Sequence, residues 1–154
     1  MDAADVQKSQ EGAWPSPTPD AEADQRPIVL VVDDDPDTRK LVSLMLADQC
    51  KVLVSENAEQ ALRHLERSVA FGHSASSIHA VLLDVMMPGM DGFTLCRRIV
   101  KEYGVTVMMM TARNTRADVE TAIRNGARDY IVKPFDKATL LAKLSRHLYE
   151  LSPG

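Results

Sequence analysis

The sequence contains little cysteine, few aromatic residues and no long apolar run. Its two cysteines, Cys50 and Cys96, are far apart and lack the spacing of metal ligands, so we interpret them as reduced packing residues without a redox role. No apolar stretch approaches the roughly 20 residues that a membrane-spanning helix requires. The acidic, proline-rich start of the chain also lacks the basic and apolar regions of a signal peptide. These absences predict a soluble, cytoplasmic protein that does not bind a membrane.

The sequence also lacks an excess of basic charge. Its net charge is -4, and residues 1–27 account for all of it with six acidic and two basic side chains. Acidic and basic residues therefore cancel over residues 28–154, where no basic stripe of the kind that binds nucleic acid is present. We expect no nucleic-acid binding by this chain.

Residues 1–26 have the composition of a disordered, acidic tail. They combine prolines with acidic and small residues and hold too little apolar surface to order themselves. Trp14, the single tryptophan, lies in this tail, and we interpret it as an incidental residue rather than an anchor for a partner. A chain of 154 residues that is 45% hydrophobic suffices for one buried core. We therefore expect one domain over residues 27–151, followed by a short tail at residues 152–154.

From Ile28 onward, short apolar runs alternate with segments of helical periodicity. Runs such as IVLVV and AVLL are typical of strands buried on both faces, as in a parallel sheet between two layers of helices. The pattern predicts an α/β fold with a doubly wound, five-stranded parallel sheet, flavodoxin-like (βα)5, with strand order 2-1-3-4-5. The predicted strands span residues 28–32, 51–55, 80–83, 105–110 and 130–132, the predicted helices span residues 36–47, 58–70, 92–103, 116–125 and 136–150, and residues 71–79 are predicted as an exposed loop.

Polar side chains collect where the predicted strands end. The residues at these positions are Asp33, Asp34 and Asp35 after the first strand, Asp84 after the third, Thr111 after the fourth and Lys133 after the fifth. In an open parallel sheet these ends lie on one edge, where ligands bind. Two carboxylates about 4 Å apart repel by roughly 4 kcal/mol at an effective dielectric constant near 20, so such a cluster requires a cation, a proton or full solvation.

Four motifs in chain order, VVDDDP, LLDVMMPGMDG, MMTAR and DYIVKPF, resemble the receiver domain of two-component response regulators. The resemblance covers about residues 28–150. It implies that Asp84 accepts a phosphoryl group from a phosphohistidine on a histidine kinase or a histidine phosphotransfer protein, with Mg²⁺ as the cofactor. It further implies that Asp34 and Asp84 ligate Mg²⁺ directly and that Asp33 acts largely through water. The backbone carbonyl of Met86 completes the implied ligand set.

The resemblance also implies roles for residues around the acidic cluster. Lys133 supplies a cation opposite Mg²⁺, and the peptide bond between Lys133 and Pro134 is expected to be cis. Thr111 and Tyr130 form the implied switch, in which the threonine hydroxyl bonds the phosphoryl group and the tyrosine turns inward. Asp35 is interpreted as the cap of the first helix rather than as a metal ligand.

The resemblance also implies that two further positions set how long the phosphoryl group survives. They lie two residues after the acceptor and two residues after the threonine, and are occupied here by Met86 and Arg113. We expect their bulk to screen the acyl phosphate from water, so that Arg113→Ala accelerates loss of phosphate.

Only LSPG follows the last predicted helix, which favours a stand-alone receiver similar to chemotaxis regulators, or one separated from its output domain. Such a receiver acts by binding. The expected surface comprises the fourth helix, fifth strand and fifth helix, residues 116–148. An unidentified downstream protein or a second copy of the chain is the expected partner.

The sequence leaves two alternatives. A haloacid-dehalogenase-like phosphohydrolase also uses a strand-end aspartate with Mg²⁺, threonine and lysine. It requires a second aspartate two residues after the nucleophile, however, and Asp84 is followed by Val85 and Met86. A receiver-like module that signals without phosphate would share the fold. Turnover of a phosphate ester would favour the first alternative and absence of labelling at Asp84 the second. The main prediction is a phosphoacceptor that is not a turnover enzyme.

Overall fold

The computed structural model describes residues 26–71 and 77–148, so Trp14 and almost all of the predicted tails lie outside the described residues. Strands and helices alternate regularly along both described ranges. The strands are β1 (Ile28–Val32), β2 (Lys51–Ser55), β3 (Ile78–Leu83), β4 (Thr106–Thr111) and β5 (Asp129–Val132), and the helices are α1 (Pro36–Leu46), α2 (Ala58–Phe71), α3 (Gly92–Tyr103), α4 (Arg116–Arg124) and α5 (Lys137–Ser145). Within these ranges, no helix is both long enough and apolar enough to cross a membrane.

The strands form one parallel sheet with the order β2-β1-β3-β4-β5. This order confirms the predicted doubly wound fold. Val32, the last residue of β1, pairs with Ser55 on one side and Leu83 on the other. The segments that follow β1 and β3 therefore begin next to each other at the carboxyl edge of the sheet.

The core consists of two apolar layers, one on each face of the sheet. All five residues of β1 are buried, and they alternate between the layers because successive strand side chains point to opposite faces. Leu30 packs in the layer that contains side chains of α2, α3 and α4. Val31 packs in the layer that contains side chains of α1 and α5. Burial on both faces explains why β1 is a continuous apolar run.

Side-chain caps begin α1 and α2. The carboxylate of Asp35 accepts hydrogen bonds from the Asp37 amide at 3.1 Å and from the Thr38 hydroxyl at 2.9 Å, which confirms Asp35 as the cap of α1. At the start of α2, the side chain of Asn57 accepts a bond from the Gln60 amide at 2.8 Å. These bonds satisfy amide groups that have no partner within the first helical turn.

β3 begins two residues earlier than the sequence predicts. Ile78 pairs with Ile28 of β1, and its amide donates to the Ser68 hydroxyl at 3.0 Å. His79, expected in an exposed loop, lies within β3, where its Nδ1 accepts a bond from the Ile28 amide at 3.0 Å. The start of the chain's first strand thus orders the start of the third. Residues 72–76 of the predicted loop lie outside the described residues.

α5 ends at Ser145, about five residues before the predicted end. The amides of Arg146 and His147 bond to carbonyls three residues back, at 3.3 and 2.9 Å, so the helix closes in a tighter turn. Three basic side chains from α5 and this turn lie near Asp129 at the start of β5. The distances to its carboxylate are 3.3 Å from Lys143 Nζ, 3.7 Å from Arg146 Nη1 and 3.1 Å from His147 Nε2.

We expect Asp129→Asn to destabilise the fold at neutral pH and much less in acid. Burial alone would raise the pKa of Asp129, but the Tyr130 amide, His147 and Lys143 outweigh it and lower the pKa. A lowered pKa in the folded state gives stability that is present above the ordinary value of about 4 and is lost as the pH falls through the folded value. Because solvent screens the exposed arginine, we expect a cost of about 1 kcal/mol at pH 7.

Urea denaturation of both proteins at pH 7 and at pH 3 measures this effect. The difference in unfolding free energy should narrow in acid. A difference that is the same at both pH values would show that the carboxylate charge does not carry the stabilisation.

Candidate functional site

Charged side chains that follow β1, β3 and β5 meet at the carboxyl edge of the sheet. One carboxylate oxygen from each of Asp33, Asp34 and Asp84 lies within 4.8 Å of the other two. The Asp84 amide donates to the Val32 carbonyl at 3.0 Å, which continues the β1–β3 pairing beyond the strands. Strand order, rather than proximity along the chain, therefore assembles this acidic cluster.

Asp33 is fully buried and held on every side. Its Oδ1 accepts a bond from the Asp35 amide at 2.9 Å, and its Oδ2 lies 2.6 Å from Lys133 Nζ. Its backbone carbonyl accepts a bond from Arg39 Nη1 at 2.8 Å. Asp34, the next residue, is exposed. The two neighbouring acids thus differ sharply in their freedom to bind a ligand.

Asp84 is nearly buried, with 6% of the residue exposed. Its Oδ1 accepts a bond from the Met86 amide at 3.2 Å, and its Oδ2 lies 3.4 Å from Lys133 Nζ. Burial raises the pKa of Asp84, and the negative charge of Asp33 raises it further. The Met86 amide and Lys133 oppose this shift. The carboxylate is therefore kept in a partly desolvated position next to a cation.

Lys133 bridges the ends of β1 and β3 from β5. Burial alone would lower the pKa of the Lys133 ammonium, but Asp33 and Asp84 outweigh burial and raise it. The lysine is consequently charged at neutral pH. The bond between Lys133 and Pro134 is cis, as expected from the resemblance. Lys133 lies closer to Asp33 than to Asp84, by 2.6 against 3.4 Å.

Thr111, at the end of β4, is fully buried. Its hydroxyl accepts a bond from the Arg113 amide at 3.2 Å. The hydroxyl of Tyr130, from β5, donates to the carbonyl of Arg113. The pKa of the Tyr130 phenol is raised by burial first and then by the negative charges of Asp118 and Asp84. The two implied switch residues are therefore joined through the backbone of one residue.

Comparison with known protein families decides what this arrangement is. The model of the response regulator receiver domain matches residues 29–145. The chain belongs to this family. Accepting a phosphoryl group from a kinase is the general function of receiver domains, which typically bind Mg²⁺ at acidic residues. The resemblance carried by the four sequence motifs is thereby confirmed.

The receiver is similar to several known proteins and solved structures. It is 37% identical over 118 residues to the transcriptional regulatory protein AruR of Pseudomonas aeruginosa, covering 76% of this chain and 47% of AruR. It is 36% identical over 129 residues to an uncharacterized 14.6 kDa protein of Leptolyngbya boryana, covering 81% of this chain and 92% of that protein. The structure of chemotaxis protein CheY4 of Vibrio cholerae matches with a TM-score of 0.71 and 28% identity, covering 80% of this chain and 99% of that one. The receiver thus spans about half the length of AruR.

The side chains of Met86 and Arg113, the two residues predicted to screen the phosphoryl group, differ in their contacts with the rest of the protein. Met86 is 59% exposed. The guanidinium of Arg113 forms an ion pair with Asp118 at 2.6 Å and lies 5.7 Å from the centre of the Phe93 ring. Screening of the acyl phosphate by these two residues stays a prediction. In the unphosphorylated receiver the Arg113 side chain already contacts Asp118 and Phe93.

Two residues around the site were missed by sequence reasoning. Asp118 had a readable signal, because Thr115-Arg-Ala-Asp118 is a capping-box pattern and the structure contains both bonds of that box. Arg39 had none, since its bond to the Asp33 carbonyl depends on how α1 turns back over β1. Arg39 Nη2 also lies 3.9 Å from Glu56 Oε2, between the loops that follow β1 and β2.

Gly92 is required by the close approach of the loop that follows Asp84. Its amide donates to the Val85 carbonyl at 3.1 Å. A Cβ at this position would lie 2.6 Å from the Asp84 carbonyl oxygen and 2.5 Å from the Val85 Cα. These are backbone atoms and cannot rotate away, so the first residue of α3 helps to define where Asp84 stands.

Proposed function

We propose that this receiver accepts a phosphoryl group on Asp84 from a phosphohistidine of a histidine kinase or a histidine phosphotransfer protein. The observation that supports the proposal is the position of the Asp84 carboxylate, 3.4 Å from a lysine ammonium and within the acidic cluster of Asp33 and Asp34. A nucleophile in this position needs few other catalytic groups, because phosphoryl transfer depends mainly on the positions of the reacting atoms and on stabilisation of negative charge.

In the proposed reaction a carboxylate oxygen of Asp84 attacks phosphorus. The bond from phosphorus to the donor imidazole nitrogen breaks, and its electron pair leaves with that nitrogen, which takes up a proton. The product is an acyl phosphate on Asp84. Lys133 neutralises negative charge beside the phosphoryl oxygens, and the Met86 amide holds one carboxylate oxygen of Asp84 in place. Attack of water on the acyl phosphate later releases inorganic phosphate and restores the Asp84 carboxylate, so the receiver acts as a phosphoacceptor rather than as a dedicated turnover enzyme.

The acidic cluster fits Mg²⁺. Magnesium prefers oxygen ligands, keeps several waters and is commonly held by one or two carboxylates together with phosphate oxygens. Asp34 is exposed, and the bonds to the two oxygens of Asp84, at 3.2 and 3.4 Å, are longer than those to Asp33, at 2.9 and 2.6 Å. We therefore propose Asp34 and Asp84 as direct ligands and Asp33 as a ligand through water, and the Met86 carbonyl as the further direct ligand that the family resemblance implies. When bound, the ion would neutralise charge on the carboxylates and on the transferred group.

Mg²⁺ is expected to raise the thermal stability of the receiver. A ligand at ten times its dissociation constant stabilises the folded state by about 1.4 kcal/mol, which raises the melting temperature by several degrees. The ion also relieves repulsion among the three clustered carboxylates. Asp34→Asn should weaken this response, whereas Asp37→Asn, in the exposed first turn of α1, should retain it. Equal shifts in all three proteins by calorimetry would place the ion elsewhere.

We further propose that phosphorylation acts through Thr111 and Tyr130 on the surface of α4, β5 and α5. The Thr111 hydroxyl would bond a phosphoryl oxygen, and the loop that carries Arg113 would follow because the Arg113 amide is bonded to that hydroxyl. Tyr130 would move with the loop because its hydroxyl is bonded to the Arg113 carbonyl. The bound group shifts the equilibrium only through contacts that differ between the two states. A module that ignores phosphate is the alternative.

The surface of α4, β5 and α5 has features that suit a protein partner. Ile123 and Val132 are apolar yet exposed, at 62% and 38%. A shallow cleft of about 560 Å³ lies between β5 and α5, lined in part by Tyr130, Pro134 and Phe135. A downstream protein is the proposed partner. Sedimentation before and after phosphorylation would show whether a second copy of the receiver binds to this surface instead.

Intact mass measurement tests the proposed function. The receiver is incubated with acetyl phosphate, with and without Mg²⁺, and peptide mapping locates any added group. A gain of one phosphoryl group on Asp84 that requires Mg²⁺ supports the proposal. No gain under either condition would favour the phosphate-independent module.

A further inference from the structure

Arg113 connects the three parts of the proposed switch. Its amide donates to the Thr111 hydroxyl at 3.2 Å, and its carbonyl accepts from the Tyr130 hydroxyl. Its guanidinium reaches α4, where Nη2 lies 2.6 Å from Asp118 Oδ1, and it also lies over the Phe93 ring. The side chain thus connects α4 to the loop between β4 and α4, and this loop carries both backbone bonds.

Asp118 is well placed to hold that side chain. Its carboxylate is largely buried, and the two oxygens have separate tasks. Oδ1 binds Arg113, whereas Oδ2 accepts bonds from the Thr115 hydroxyl at 2.7 Å and the Thr115 amide at 3.3 Å. The Thr115 bonds lower the pKa of Asp118 despite its burial, and Arg113 lowers it further. The carboxylate is therefore charged and fixed to the first turn of α4.

We propose that Asp118 is a positioning residue that holds Arg113, and with it the β4–α4 loop, in the conformation described here. A guanidinium binds a carboxylate or a phosphoryl group through the same donors. The ion pair with Asp118 therefore competes with any contact between Arg113 and a phosphoryl group on Asp84. Removing the carboxylate shifts the loop towards the phosphorylated conformation and lengthens the life of the acyl phosphate. The second effect rests on the proposed function.

Amide hydrogen exchange of the unphosphorylated receiver tests the effect on the loop. Asp118→Asn retains a side-chain oxygen for Thr115 but removes the charge that pairs with Arg113. The amide at position 113 should exchange roughly threefold faster or more, the scale of a partly exposed ion pair. Glu120→Gln is the matched control, since it removes the exposed ion pair between Glu120 and Arg116 on the same helix. Unchanged exchange in Asp118→Asn would overturn the proposal.

A double-mutant cycle separates the ion pair from the helix cap. Arg113→Ala removes the guanidinium but keeps the backbone bonds to Thr111 and Tyr130. If the ion pair is responsible, Asp118→Asn accelerates exchange when Arg113 is present and has no further effect in the Arg113→Ala background. The same acceleration in both backgrounds would assign the effect to the lost cap and contradict the proposal.

The decay of the phosphorylated proteins tests the effect on lifetime. Asp118→Asn should slow loss of the phosphoryl group by roughly threefold, and Arg113→Ala should accelerate it with no further effect of Asp118→Asn. Equal decay in wild type and Asp118→Asn would overturn this part. If the wild type is not labelled at all, the proposed function fails together with the lifetime effect, and amide exchange alone still decides whether Asp118 holds the loop.

Discussion

Asp84→Asn is expected to abolish phosphorylation of the receiver by acetyl phosphate. The neutral amide lacks the carboxylate oxygen that attacks phosphorus. Asp33, the other buried carboxylate beside Lys133, is held more tightly, with bonds of 2.9 and 2.6 Å against 3.2 and 3.4 Å for Asp84. Loss of a nucleophile costs several orders of magnitude in rate, so labelling should fall at least about 100-fold. Intact mass spectrometry in the presence of Mg²⁺ measures the labelled fraction.

Asp35→Asn is a matched control for this experiment. Asp35 lies two residues from Asp33 in the same acidic run, but its carboxylate caps α1. An asparagine also caps helices well, so fold and labelling should both be retained. Labelling of Asp84→Asn at the wild-type rate would contradict the assignment of the acceptor, and peptide mapping would then examine Asp33 and Asp34.

Gly92→Ala is expected to reduce both stability and phosphorylation strongly. The added Cβ would lie 2.5 to 2.7 Å from backbone atoms of Asp84 and Val85. Because no side-chain rotation relieves this clash, the loop after β3 must move, at a cost of about 2–3 kcal/mol. Displacement of a nucleophile by about 1 Å can reduce its rate 100-fold. We therefore expect the rate of labelling to fall at least about tenfold under conditions where the variant is folded.

Gly104→Ala distinguishes this local effect from a general loss of stability. Gly104 ends α3 with φ of 65°, and a Cβ there would meet no atom within 4 Å. The substitution costs backbone strain of about 1–2 kcal/mol but lies at the opposite end of the same helix. Its labelling rate should match the wild type. Equal rates for both variants, measured by mass spectrometry alongside urea denaturation, would show that Gly92 does not position Asp84.

The periodicity and composition of the sequence determined the order and kind of the secondary-structure elements. IVLVV is apolar at every position because β1 is buried on both faces, and this property is local enough to read directly. The acidic cluster was also predictable, since the carboxyl ends of neighbouring parallel strands must lie at one edge. Asp35 as a helix cap followed from its position before Pro36, because capping involves only the next few residues.

Only the tertiary structure decided the contacts that join distant elements. The early start of β3 depends on its pairing with Ile28, some 50 residues away, and the early end of α5 accompanies ion pairs with Asp129. The bond of Arg39 to the Asp33 carbonyl and the ion pair of Arg113 with Asp118 depend on the angle at which a helix leaves a loop. Residue types alone do not specify such an angle, because it results from packing against the whole sheet. The sequence therefore identified the groups that carry the chemistry, and the packing of helices on the sheet decided which neighbours hold them.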